Sequence, residues 1–190
     1  MKVSVAVTSV FALGMVVFAE TDDSTGERLL IERVREVSKM HRVTEKPFKM
    51  IPAAAFDCVA PTRASKQTRT PHGDYFCHVF VDEAGRQTMT SGSGEYPVGT
   101  VIVKQKFADS RGKATELYTL MRKMEPGYDT EHGDWEYSIV NRKATQVLAR
   151  GRIESCIECH KSYEQTDYVT RLYIPEPNTP EASATDSDSK

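Results

Sequence analysis

The chain shows little excess charge of either sign, with 25 Lys+Arg against 27 Asp+Glu over 190 residues. That balance carries no electrostatic footprint for nucleic acid, so a nucleic-acid partner is not expected. No sequence repeat is present, which excludes a solenoid or propeller. Beyond Phe18 there is no apolar run long enough to cross a bilayer. Cysteine is scarce, at four residues, and histidine numbers five. Only one C-x-x-C pair occurs, and no H-x-x-x-H. A four-ligand zinc site of the usual spacing therefore lacks its second half.

What is present begins with the first residues. Lys2 supplies a positive start, residues 3–18 are apolar or small, and Ala19 precedes the polar run 20–23. The pattern predicts an export signal cut after Ala19 (residues 1–19), hence a periplasmic or otherwise exported protein. A membrane anchor is the other reading, but the stretch is short for a span and has no basic stop-transfer flank. Removing Lys2 leaves 24 Lys+Arg against 27 Asp+Glu, a formal charge of −3. Residues 20–26 are polar and read as a flexible N-terminus. Residues 175–190, rich in Pro, Ser, Thr and acid, read as a disordered acidic tail. One folded domain is expected over 27–174.

Inside that domain lies Cys156-Ile157-Glu158-Cys159-His160. C-x-x-C-H is the attachment signature of c-type haem. Two thiols reach two vinyl groups on one porphyrin edge, and the adjacent imidazole falls beneath the iron as its proximal ligand. The expectation is one covalently bound haem c, held by Cys156 and Cys159 with His160 on the iron. A redox dithiol is the competing reading, but no βαβ unit surrounds the motif. No methionine follows His160, so a His/Met electron carrier is not the natural reading. A five-coordinate iron, open to water or a small diatomic or nitrogenous ligand, is expected. Apolar lining from residues such as Phe76, Phe80 or Phe107 would favour binding of nitric oxide, and polar lining would favour turnover.

Periodicity supplies the frame. Leu29, Leu30, Val34, Val37 and Met40 predict an amphipathic helix over 25–40. Residues 47–71, with prolines and small residues, read as irregular. Strands are predicted over 75–82, 99–107, 116–124, 134–140 and 167–174, with turns at 83–86, 108–113, 125–128 and 141–143. A helix over 146–162 carries the haem motif. The fold class is α+β and β-rich: an antiparallel meander sheet with an N-terminal helix and a C-terminal haem-bearing helix. Strand parity places Thr100, Ile102 and Lys104 on one face and Val101, Val103 and Phe107 on the other. With apolar residues on both faces, Lys104 is expected on a partly buried one. A solvated lysine is the other reading, because Lys106 shares its parity.

Three stretches carry a family resemblance: YPVGTVIVK (96–104), EPGYDTEHGDWEY (125–137) and CIECHKSYEQTDYVTRLY (156–173). They resemble the cytochrome P-460 family, which includes the cytochromes c′-beta, over about residues 75–174. The resemblance implies a periplasmic, β-rich c-haem protein, usually a homodimer, with five-coordinate iron. It implies either nitric oxide binding or, where a lysine is bonded to a porphyrin meso carbon, hydroxylamine oxidation. Lys104 matches that lysine by its G-T-V-x-V-K setting. On strand 75–82 the enzymes carry a pocket arginine where this chain has Cys77, beside His78. That departure tilts the expectation towards ligand binding. An oxidoreductase acting on hydroxylamine with a Lys104–haem cross-link is the alternative, and an electron carrier with a periplasmic redox partner the third. His78 and His132 are each open as distal ligand, proton relay or surface residue, the last favoured for His132. His41 and His72 read as structural or solvated. Cys58 and Cys77 remain as a spare pair, and an oxidising compartment favours a disulfide over two buried thiols.

Overall fold

A computed structural model describes residues 23–50 and 76–174. Chain order within them is α1 (Asp23–Arg35), β1 (His41–Arg42), β2 (Phe48–Lys49), β3 (Phe76–Val81), α2 (Glu83–Ser91), β4 (Val101–Phe107), β5 (Thr115–Lys123), β6 (Trp135–Asn141), β7 (Val147–Gly151) and α3 (Glu154–His160), with 3-10 turns at Val37–Lys39, Thr130–His132 and Lys161–Thr166. Every strand pairing is antiparallel. The sheet runs β1-β3-β4-β5-β6-β7, and β2 also pairs with β3. From β3 onward each strand lies beside the next in sequence, as the predicted meander requires, and the α+β, β-rich class holds.

Each sheet face has its own apolar layer. Leu30, Val34 and Val37 recur at helical spacing and pack on Phe80, Val101, Val103, Leu120 and Val140. Residues of opposite parity, Cys77, Val79, Val81, Ile102, Met121, Trp135 and Tyr137, form the second layer with Cys156, Val169 and Tyr173. The sheet is therefore buried on both faces, which explains why its central strands do not alternate cleanly between polar and apolar residues.

Three expectations are corrected. Residues 83–86 open helix α2 instead of closing a turn. Asp82 caps it, its Oδ1 accepting from the Gly85 amide at 3.2 Å, and Gly92 ends it at φ 77°. The predicted helix 146–162 divides in two. Its first part is β7, completing the sheet against β6, and Gly151 at φ 116° breaks it before α3 begins at Glu154. The predicted strand 167–174 does not form. Asp167 and Tyr168 sit at φ 51° and 61°, left-handed conformations that no strand accommodates. The helix expected over 25–40 runs as α1 from Asp23 to Arg35, and a 3-10 turn at Val37–Lys39 follows it. The export segment, most of 47–71 and the tail 175–190 lie outside the described residues. Among the described residues no helix is long and apolar enough to cross a membrane.

Candidate functional site

Helix α3 places Cys156, Cys159 and His160 at i, i+3 and i+4, neighbours along one side of the helix. Cys156 and His160 are buried against the second layer, and Cys159 is partly exposed. The His160 Nδ1 lies 2.7 Å from the Tyr168 carbonyl oxygen. A carbonyl only accepts, so Nδ1 carries the hydrogen and Nε2 the lone pair. Burial pushes the His160 pKa down to about 3, with the nearby Lys104 ammonium adding to the effect. The imidazole is thus neutral at any ordinary pH, as iron ligation requires. The Tyr137 ring stands 5.4 Å from it and the Tyr163 ring 6.4 Å.

The Tyr168 carbonyl is held in place by its neighbour. The Asp167 carboxylate takes the Lys123 Nζ at 2.7 Å on both oxygens and the Tyr96 amide at 2.8 Å. The Trp135 indole donates to the Asp167 backbone carbonyl at 2.9 Å. The Tyr168 hydroxyl donates to the Glu131 carbonyl, and the Tyr168 amide to that of Tyr163.

Facing α3, a small cavity of about 20 Å³ is lined by Ile102, Lys104, Thr119, Met121, Tyr137, Cys156 and His160, among others. Lys104 is 5% exposed, and burial lowers its pKa. Its Nζ lies 6.0 Å from the centre of the Tyr173 ring. One step along the same face, Lys106 is fully buried and its pKa is pushed down to about 7, first by burial and then by the Lys104 charge. The hydroxyls of Tyr137 and Tyr173 are buried with no hydrogen-bond partner among the described residues.

This donor set fits a c-type haem. It offers two thiols and a neutral imidazole whose hydrogen-bonding nitrogen is already engaged, the arrangement that orients a metal-ligating histidine. The orphaned Tyr137 hydroxyl and the buried amines add polar groups suited to an iron-bound ligand or a propionate. A porphyrin is larger than the cavity, so it would displace side chains now packed between α3 and the sheet. A family model for cytochrome P460 matches residues 59–171, more than half of the chain. The chain belongs to the cytochrome P460 family. A search of the curated proteins finds no match. Membership makes the protein a haem-type cytochrome, with iron, of that family.

The remaining candidates separate by face. Lys104 shares a face with Ile102, as parity predicted, and that face is the α3 side, with Cys156 and His160. Lys106 joins it too, although at the level of sequence it counted as a sign of solvent. The signal available was its shared parity with Ile102 in a strand whose two faces are both apolar. His78 points to the α1 side. Its Nδ1 lies 3.0 Å from the Thr44 hydroxyl, and its ring meets Phe80 and Phe107 edge-on. It therefore faces away from the α3-side cavity. Phe80 and Phe107 lie on that same far face and Phe76 shares their parity, so the apolar lining falls instead to Ile102 and Met121. His132 pairs with Asp129 at 2.9 Å in its turn, beside the Tyr168 ring. His41 starts β1, and His72 lies outside the described residues. No disulfide is present among the described residues. Cys77 is a buried free thiol whose Sγ donates to the Met50 Sδ at 3.1 Å, and Cys58 lies outside them.

Proposed function

We propose that the protein is an exported mono-haem c-type cytochrome that binds small nitrogen-oxide ligands such as nitric oxide. Cys156 and Cys159 would hold the haem, each thiol adding its S–H across one vinyl group to give a thioether. His160 would ligate the iron through Nε2. The observation that carries this reading is the buried His160 imidazole, set by Tyr168 as the Nε2 lone-pair tautomer and carried beside both thiols on α3. When bound, the haem supplies a redox-active iron with an open coordination position. Ile102 and Met121 give the cavity an apolar lining, which favours a ligand needing little hydrogen-bond support. Tyr168 holds the proton on Nδ1 and so keeps His160 in its ligating tautomer. The family resemblance adds a homodimer, and the leader-like residues 1–19 support export to the periplasm.

Intact mass and the reduced absorption spectrum test the reading. After expression with a c-haem maturation system, the chain should begin near Glu20 and carry one haem, with a high-spin reduced spectrum that responds to nitric oxide. A haem-free mature chain, or a low-spin six-coordinate resting spectrum, would refute it.

A second reading rests on Lys104. Its amine is buried in the cavity with Cys156 and His160, and burial favours the neutral, nucleophilic form that bonding to a porphyrin carbon needs. In that reading the protein is an oxidoreductase acting on hydroxylamine with a periplasmic electron acceptor. A Lys104→Ala variant that keeps the wild-type Soret position excludes the cross-link. Hydroxylamine turnover that this variant loses would establish the enzyme in place of the binding protein.

A further inference from the structure

We propose that Asp167 is a positioning residue for the iron-binding imidazole. Clamped to the sheet, it fixes the Tyr168 carbonyl on His160 and thereby sets how strongly His160 donates to the iron. This inference rests on the reading of His160 as the iron ligand.

The clamp draws on three separate parts of the fold. Lys123 at the end of β5 meets both carboxylate oxygens at 2.7 Å. The Tyr96 amide, from the loop before β4, donates to Oδ2 at 2.8 Å. Trp135 at the start of β6 donates its indole hydrogen to the Asp167 carbonyl at 2.9 Å. The Asp167 side chain is 5% exposed, so water does not compete for these contacts. Asp167 and Tyr168 are consecutive non-glycine residues in the left-handed region, at φ 51° and 61°. Such a pair is disfavoured unless its surroundings over-determine it. Here the reversal of chain direction turns the Tyr168 carbonyl back towards α3, where it accepts from His160 Nδ1 at 2.7 Å. That acceptor controls the basicity of the nitrogen on the other side of the ring. A firm, short bond makes the imidazole a stronger donor. A loosened loop lengthens the bond and makes it weaker.

The test uses the holoprotein in its reduced state. Asp167→Asn keeps the shape and an acceptor for Tyr96 but removes the ion pair. The Lys123→Met/Asp167→Asn double variant removes it without stranding a buried charge. Both are expected to move the iron–histidine stretching band to lower frequency and to raise the midpoint potential. Unmoved band and potential, with only the unfolding temperature lowered, would show a structural role alone and overturn the proposal. If Asp167→Asn does not fold, the double variant decides by the same two readouts. A wild-type protein without an iron–histidine band overturns the assignment of His160 and this inference together. A wild-type band that neither variant moves overturns the inference alone.

Discussion

Lys106 is a full-length cationic side chain with no exposed surface, and replacing it by methionine should make stability depend less on pH. The unfolded chain binds the lysine proton with the ordinary pKa of 10.5, and burial brings the folded value to about 7. Below pH 7 both states carry the proton, so the folded state bears the whole cost of burying the charge. Between 7 and 10.5 the folded amine is neutral while the unfolded one still holds its proton, and the cost falls as pH rises. Above 10.5 both are neutral and it vanishes. At about 1.4 kcal/mol per pH unit the full span is about 4–5 kcal/mol. Wild type should therefore gain stability relative to Lys106→Met by a few kcal/mol from pH 7 to pH 10. Contacts of Lys106 that methionine does not reproduce displace every point alike, so the slope is the measurement. Urea unfolding of both holoproteins at several pH values gives it. A difference that stays flat to within about 0.5 kcal/mol over that range would refute the argument.

Three further outcomes follow from the packing. Glu136 is a buried carboxylate between Arg150 Nε at 2.8 Å and Arg122 Nη2 at 3.0 Å; Glu136→Ala should cost about 3–5 kcal/mol in urea unfolding, because two guanidinium groups lose their shared anion. At Gly133, φ is 70° and an added Cβ would stand 2.5 Å from the Tyr168 ring; Gly133→Ala should lower the unfolding temperature, by a loss of about 1–2 kcal/mol from the left-handed backbone alone. Cys77 should resist alkylation in the native protein and react once unfolded without reductant, since its thiol is buried and free; a denatured, unreduced chain in which Cys77 stays unlabelled would restore the bridge to Cys58.

Local pattern was enough for much of this protein. The C-x-x-C-H run points to the proposed attachment because its two thiols and its imidazole come from one helical turn, whatever the rest of the chain does. The β-branched runs of β3, β4 and β6 declared themselves because burial on the sheet selects residues two apart, and α1 did so because Leu30, Val34 and Val37 repeat every three to four. Parity grouped Lys104 with Ile102 but did not say which face of the sheet α3 covers. The misread elements were those whose local signals conflict. Asp82 and Gly85 look like a turn until the Asp82 carboxylate is seen capping a helix. Residues 147–151 have ordinary helix propensity, and only the open edge of β6 makes them a strand. Depth was equally hidden, since a lysine at position 106 is solvated or buried according to what covers the sheet. The Asp167 clamp lay furthest from view. Its partners Tyr96, Lys123 and Trp135 are 71, 44 and 32 residues away, and no periodicity spans such distances. Sequence determined which atoms are offered to the proposed haem; the tertiary structure decided how the His160 imidazole is held, because hydrogen bonds between distant segments exist only once the sheet has brought them together.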